Sequence, residues 1–299
     1  AEFGGLALPT DLVKGKGYIY FSTTNLDSSN AAYRLQWGAL AINPKDSTGK
    51  VLSATSISRA PTPVAKASVS PSPKLSPKNM SLQLDGKSYA RISHASYYNV
   101  PKSWTVEAWF KDESKEGYNH PTRYIITKGE TYSTENIPFL IGIEQNNIFV
   151  GTRNEGIHKV MTYNLAEHAV SPNVWHHVAV TFDSRSTEMI MYLDGLPTIK
   201  AYVTTYTSKE NMRPVFIGKN GDRDFWVGKI DDLRIWDKAR TAEQIRNSYI
   251  TPLTATQENL IGNWQFDEGS GDIAYDFSTK KENMTIIKAT WSADVPYMR

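Results

Sequence analysis

The feature that most restricts how this chain can fold is a long series of short runs in which apolar and polar residues alternate, punctuated by glycine turns. The runs begin near Asn79 and include Ser81 to Leu84, Trp104 to Phe110, Phe139 to Ile143, Trp175 to Phe182, Met189 to Leu193, Val215 to Gly218 and Ile230 to Trp236. Side chains alternate between the two faces of a strand, so each run reads as a strand with one buried face. The pairs Asp85-Gly86, Asp194-Gly195 and Asn220-Gly221 supply the backbone freedom that tight turns need. Many short strands with turn signals predict an all-β sandwich or jelly roll. One helix interrupts the pattern: Thr241 is an N-cap threonine with Gln244 three residues on, the capping-box spacing.

The chain before Asn79 is different in kind. From Ser53 to Lys78 it is Ser, Ala, Thr, Pro and Lys, with Pro61-Thr62-Pro63 and then Pro71, Pro73 and Pro77. Such a stretch buries too little apolar surface to fold alone, and its prolines favour extended geometry. It reads as a linker. Residues 1–52 form a small β-rich segment, with strand-like runs at Gly17 to Phe21 and Tyr33 to Ile42. About fifty residues make a marginal core, so this segment is expected to pack on a neighbouring module or subunit through residues 1–51. The expected organisation is therefore 1–52, a Pro-rich linker at 53–78, and a sandwich at 79–299.

Composition removes several function classes. With 33 basic and 31 acidic residues and no long basic run, the chain is not built for nucleic acid. There is no cysteine, which excludes disulfides, thiolate metal sites and a cysteine nucleophile. No apolar stretch approaches the roughly 18 residues of a membrane span, so no membrane insertion is expected. The opening residues carry no signal-peptide pattern, which leaves the compartment open.

Four blocks, in order, resemble the laminin-G-like, concanavalin A-like jelly-roll superfamily. The first is Leu82-Gln83-Leu84-Asp85-Gly86 with Tyr89 to Ile92, and the second is Trp104 to Trp109. The third and most specific is Trp175-His176-His177-Val178-Ala179-Val180-Thr181-Phe182-Asp183 followed by Met191-Tyr192-Leu193-Asp194-Gly195. The fourth is Gly228 to Trp236 with the helix after it, and a further block from Trp264 to Gly271 reads as completing the same unit. The resemblance implies a two-sheet antiparallel jelly-roll sandwich over about 79–299. It also places Trp109, Trp175, Phe182 and Ile235 between the sheets.

The same fold hosts glucanases and lyases, so catalysis has to be tested on the residues. Retaining glycosidases need two carboxylates about 5 Å apart, and the glucanase relatives carry a Glu-x-Asp-x-Glu strand motif that is absent here. Asp231 and Asp232 are adjacent, while Asp222 and Asp224 sit in a turn. His176 and His177, adjacent on a strand, face opposite ways and cannot share a metal. No Gly-x-Ser-x-Gly elbow or phosphate loop is present. The chain is not expected to be an enzyme.

Relatives often hold one structural calcium. The resemblance places Asp231 and Asp276 as its carboxylates, although Lys280 and Lys281 follow where relatives have small residues. Sugar sites combine aromatic rings with Asn, Asp, Arg and His. Four stretches offer that mixture: Tyr118, Asn119, His120 and Arg123; Tyr132; Arg153 and Asn154; and the loop from Asn220 to Trp226. The expected function is a non-catalytic, surface-exposed carbohydrate-binding module for adhesion or attachment, with a glycan or glycoprotein on a cell surface as partner. It would stand outside a cell or on a virion. The alternatives are a structural or protein-binding module of a surface or virion assembly, and a glucanase- or lyase-type enzyme on the same fold.

Overall fold

The computed structural model of the chain describes residues 79–297, apart from 115–121, 133–135, 146, 155–156, 166, 168–170, 205–209, 252 and 254–256. The β-rich segment and linker expected at 1–78 lie outside the described residues.

The strands run in chain order as follows. The first four are β1 (Ser81–Asp85), β2 (Tyr89–Ile92), β3 (Trp104–Asp112) and β4 (Arg123–Lys128). Next come β5 (Ile137–Glu144), β6 (Asn147–Asn154), β7 (Ile157–Asn164) and β8 (Trp175–Asp183). Then follow β9 (Glu188–Leu193), β10 (Leu196–Tyr202), β11 (Val215–Ile217) and β12 (Val227–Trp236). After the helix α1 (Ala242–Ser248) come β13 (Leu260–Trp264), β14 (Ile273–Ala274), β15 (Met284–Ile287) and β16 (Thr290–Ser292).

They form two antiparallel sheets of eight strands each, the two-sheet sandwich that the alternation and the resemblance predict. The front sheet has the order β10-β9-β8-β3-β12-β1-β16, with β13 continuing along β12 beyond β1. The back sheet runs β14-β15-β2-β11-β4-β5-β6-β7. Both sheets take strands from the end of the chain, because β15 pairs β2 and β16 pairs β1.

Local chemistry sets the corners. Asp194 and Gly195 both have positive φ (49° and 77°), the twist of a two-residue hairpin turn. The Asp194 carboxylate fixes that turn by accepting from the His177 amide at 2.7 Å and meeting His176 Nδ1 at 2.8 Å. Gly228 has φ 137°, and a Cβ there would lie 2.0 Å from the Lys111 carbonyl oxygen, so only glycine fits between β12 and β3. At α1 the Thr241 side chain accepts from the Gln244 amide and the Gln244 side chain accepts from the Thr241 amide, completing the expected capping box.

The core lies between the sheets. Trp104, Val106, Ala108 and Phe110 project inward from β3, Val178, Val180 and Phe182 from β8, and Ile230, Leu233 and Ile235 from β12. Phe139, Ile141, Ile143, Ile148, Val150 and Ile217 meet them from the back sheet. Each buried Val, Leu, Ile or Phe side chain contributes about 1.5–3 kcal/mol by leaving water.

Phe182 and Ile235 are core residues as expected, but Trp109 and Trp175 are not. On β3 the even positions 104 to 110 face inward, so Trp109 faces out and meets His177, Tyr249 and Tyr297. Trp175 is half-buried on that same outer face, with its indole on Asp294. The sequence-based assignment failed because both faces of β3 carry large rings, so size alone does not say which face looks inward. His176 and His177 do face opposite ways, His176 lying beside Phe110 and His177 beside Trp109.

Candidate functional site

Two surfaces gather polar and aromatic side chains, one on the outer face of each sheet. On the front sheet the outward residues of β3 are Glu107, Trp109 and Lys111. Register sets Glu107 beside Arg234 of β12 and Lys111 between Lys229 of β12 and Trp175 of β8. Glu107 is fully buried. It accepts from Trp236 Nε1 and Arg240 Nη1, both at 2.9 Å, and lies 3.6 Å from His177 Nε2 and 3.8 Å from Arg234 Nη1. Burial opposes its ionisation, but His177 and the Arg240 and Arg234 charges outweigh burial and hold the carboxyl at about 2. Asp232 is held by Arg234 Nη2 at 2.6 Å and by the Tyr297 hydroxyl. The helix packs on this face through Ile245 against Ala179 and Tyr192. Tyr249, directly after the helix, stacks on Trp109 at 5.9 Å.

The second surface lies where the chain leaving β4 meets the β11–β12 connection and the end of β6. Each half fixes the other. The Thr131 amide donates to Asn220 Oδ1 at 2.8 Å, and Asn220 Nδ2 donates to Asp224 Oδ2 at 3.2 Å. Arg153 Nη1 donates to the Thr131 carbonyl at 2.7 Å. The Tyr132 hydroxyl donates to Asp224 Oδ2, and the Arg223 guanidinium lies 4.3 Å from the Tyr132 ring centroid. Burial, then the hydrogen bond to Asp224 and its charge, push the Tyr132 phenol up to about 12, so it stays a protonated donor at neutral pH. Asp224 holds φ 56°, a left-handed conformation that costs a non-glycine residue energy and that the surrounding bonds maintain. Tyr132 is nonetheless 59% exposed, and Asp222 and Arg223 are exposed beside it.

Of the residues selected from sequence, Tyr132 is on this surface and open. Arg153 supports it from beneath and is itself buried. Arg123 and Trp226 are corrections: neither is available to a ligand. Arg123 Nη2 donates to both oxygens of buried Asp112 at 3.1 Å, and Trp226 is fully buried, edge-on to Phe110. They immediately border loops in sequence but occupy strand-end positions, where the sandwich closes over them. Asn154 ends β6 with its backbone paired to Ile157. Tyr118, Asn119 and His120 lie outside the described residues. Asn220, Arg223 and Asp224 belong to the loop selected from sequence as a stretch, and Thr131 was not among the selected residues. The local signal for the loop is its Asn-Gly-Asp-x-Asp turn, while nothing near Thr131 in sequence points to its partner Asn220.

The two carboxylates expected to hold calcium sit in different surroundings. Asp276 Oδ1 accepts from the Asn263 and Ser278 amides at 2.9 and 2.7 Å, and Oδ2 from the Ser278 hydroxyl and the Glu282 amide at 2.8 and 2.9 Å. Four donors use the four acceptor positions of a carboxylate. Asp231 is fully buried at a bulge in β12 and accepts from the Asp232 amide at 2.8 Å. Among the described residues no group of three His, Asp or Glu is disposed to hold a metal ion. Three backbone amides and the Ser278 hydroxyl satisfy the Asp276 carboxylate.

Residues 84–246 match the laminin-G-like family model of the concanavalin A-like lectin/glucanases superfamily. That is more than half of the chain. No curated protein sequence matches it. Among solved structures, a Bacteroides ovatus protein provisionally assigned as carbohydrate binding superposes with TM-score 0.57 at 18% identity, covering 74% of this chain and 62% of that one. This chain thus spans less than two thirds of that protein's length. The CBM40 module of the Ruminococcus gnavus IT-sialidase gives 0.47 at 14% identity, covering 57% of this chain and 97% of that one. The heptameric SAP-like pentraxin of Limulus polyphemus gives 0.44 at 14% identity, covering 71% and 96% respectively. At these identities the likeness is one of fold. The family match shows that the chain belongs to the concanavalin A-like lectin/glucanases superfamily.

Proposed function

We propose that this concanavalin A-like sandwich is a non-catalytic glycan-binding module that stands outside a cell and engages sugar at the Tyr132–Arg223–Asp224 surface. The observation that carries the reading is an exposed aromatic ring held in place on three sides. Arg223 rests against the Tyr132 ring, Asp224 holds its hydroxyl, and Thr131 next to it is tied to Asn220 and Arg153. A sugar presents an apolar C–H face that stacks on such a ring and hydroxyls that bond to Asp, Asn and Arg. Because the ring is already ordered, binding loses little side-chain entropy. The Bacteroides ovatus protein with the same fold is itself assigned to carbohydrate binding, which agrees with this reading.

The strand carboxylates argue against glycoside hydrolysis. A glycosidase acid needs a raised pKa and access to substrate. Glu107 is buried among cations and held at about 2, and Asp232 is buried in an ion pair with Arg234.

A second reading, a protein-binding module, is favoured by one observation. Ile273, Tyr275 and Phe277 alternate along and just beyond edge strand β14, and each is more than 40% exposed. The deciding experiment is a glycan array with the wild type, Tyr132→Ala and Arg223→Ala. Glycan signals that vanish in both variants support the sugar site. No signal above background with the wild type, or signals indifferent to both changes, overturns it.

A further inference from the structure

The front sheet carries a cradle occupied by the chain itself. After β16 the chain turns across the outer face, and Asp294 enters a row formed by Lys229, Lys111 and Trp175. Its Oδ2 lies 2.6 Å from Lys111 Nζ and 3.1 Å from Lys229 Nζ, and its Oδ1 accepts from Trp175 Nε1 at 2.9 Å. Three residues on, the Tyr297 ring meets Trp109 edge-on at 5.8 Å and its hydroxyl reaches Asp232. Two backbone anchors complete the segment: Ser81 Oγ donates to the Asp294 carbonyl at 2.7 Å and Asn79 Nδ2 to the Tyr297 carbonyl at 3.1 Å. Nothing in this strap is a regular element, and both Asp294 and Tyr297 remain partly exposed.

The strap therefore offers the sheet a carboxylate, a ring and a hydroxyl in sequence. The sheet answers with two ammonium groups and an indole N–H, a second indole, and a carboxylate. The two halves of this row belong to residues two apart on β3, Lys111 and Trp109, which are roughly 7 Å apart along the strand. That is the scale of one or two sugar rings. Were Asp294 withdrawn, Lys111 and Lys229 would face only Glu113, which both already contact. Two ammonium groups against one carboxylate leave uncompensated positive charge, with the Trp175 N–H free to donate.

We infer that the Lys111–Lys229–Trp175 cradle, with Trp109 as its floor, is a second ligand site, that its ligand is a carboxylate-bearing sugar, and that the strap at 293–297 is its resident competitor. The inference rests on the glycan-binding reading but on none of the residues at the Tyr132 surface. The ordinary affinity of the site is lowered by the fraction of time the strap fills it, so loosening the strap raises affinity. Burial opposes ionisation of Asp294, but the bonds from Lys111, Trp175 and Lys229 prevail and hold its carboxyl at about 2, so the competitor remains charged at any physiological pH.

The test compares methyl β-D-glucuronide with methyl β-D-glucoside, the same ring without the carboxylate, by isothermal titration. Asp294→Asn keeps the size of the strap residue and removes its charge. This variant is expected to bind the glucuronide about tenfold or more tighter than the wild type, and to prefer it over the glucoside by a similar factor. Adding Lys111→Met should erase that binding, whereas adding Tyr132→Ala should leave it. Tyr297→Ala, which loosens the strap while leaving Lys111, Lys229 and Trp175 unchanged, provides the same readout should Asp294→Asn fail to melt cooperatively. Equal affinities for the two sugars, or no gain over the wild type in either variant, overturns the proposal. A silent glycan array at the Tyr132 surface combined with glucuronide binding by Asp294→Asn would reject the first site and keep the second.

Discussion

The outer faces of the two sheets are covered by different means. On the front sheet, β3, β8 and β12 are buried along almost their whole length on both sides, and the outward residues include Glu107, His177, Asp232 and Arg234. On the back sheet, outward positions such as Arg91, Thr162 and Thr285 are exposed while their neighbours Ile92, Met161 and Ile286 are buried. A charged group can be covered only if partners replace the water it loses. The front face does this with a set of ion pairs under α1 and the strap, while the back face buries Tyr124, Ile137, Leu140, Phe149 and Arg153 along β4 to β6 and leaves groups such as Arg91 of β2 exposed. The contrast separates a face closed around the Glu107 ion pairs from one that presents an exposed, supported ring at Tyr132.

The contrast breaks most sharply at Glu107. Glu107→Ala leaves Arg234, Arg240 and His177 without their shared anion, and removing one partner of a buried ionic set costs about 3–5 kcal/mol. Urea unfolding reads this directly, and a loss within the range of ordinary surface changes would mean that water reaches the network. The same group sets a pH signature. Its folded value is depressed from 4.5 to about 2, so its contribution is complete above about pH 4.5 and disappears as pH falls towards 2. Glu107→Gln should flatten that part of the acid limb in stability measured against pH.

A smaller effect is expected one row away. Trp175→Ala removes a half-buried ring and one hydrogen bond to a charged group, a loss of about 1.5–3 kcal/mol. The inward Trp104, fully buried between Phe139 and Phe182, should cost more on the same change, about 3–5 kcal/mol. Reversal of that order in paired denaturation curves would return Trp175 to the core.

Smaller still is the cap of the covering helix. Thr241→Ala should lower stability by about 1 kcal/mol, and faster amide exchange at Gln244 would locate the loss. On the back face Tyr132→Ala should change stability by less than about 0.5 kcal/mol, while abolishing glycan signals. A large drop in melting temperature would reassign Tyr132 from recognition to structure. The smallest effect concerns metal: with the Asp276 carboxylate taken up by four protein donors, EDTA and millimolar calcium should give superimposable thermal curves, and a shift between them would reveal a bound ion.

How much was legible in advance depended on the range of the interaction. Period-two alternation, the Asp194-Gly195 turn and the Thr241 capping box are properties of a few consecutive residues, and each appears in the structure where the sequence places it. The site was legible only in part. Tyr132 and the loop from Asn220 to Trp226 stood out by composition, but Arg123 and Trp226 carry the same residue types and are buried.

The sequence by itself determined the strands, the turns, the helix start and the membership of an all-β sandwich, because backbone geometry and side-chain period are local. Only the tertiary structure decided which face of β3 looks inward, since both faces carry tryptophan and the choice depends on what the opposite sheet and α1 bring to each side. It alone also decided that Asp276 is saturated by amides from both directions along the chain, and that Asp294 lies on Lys111, 183 residues earlier. Such partners are chosen by the path of the whole chain, and no window of consecutive residues contains them.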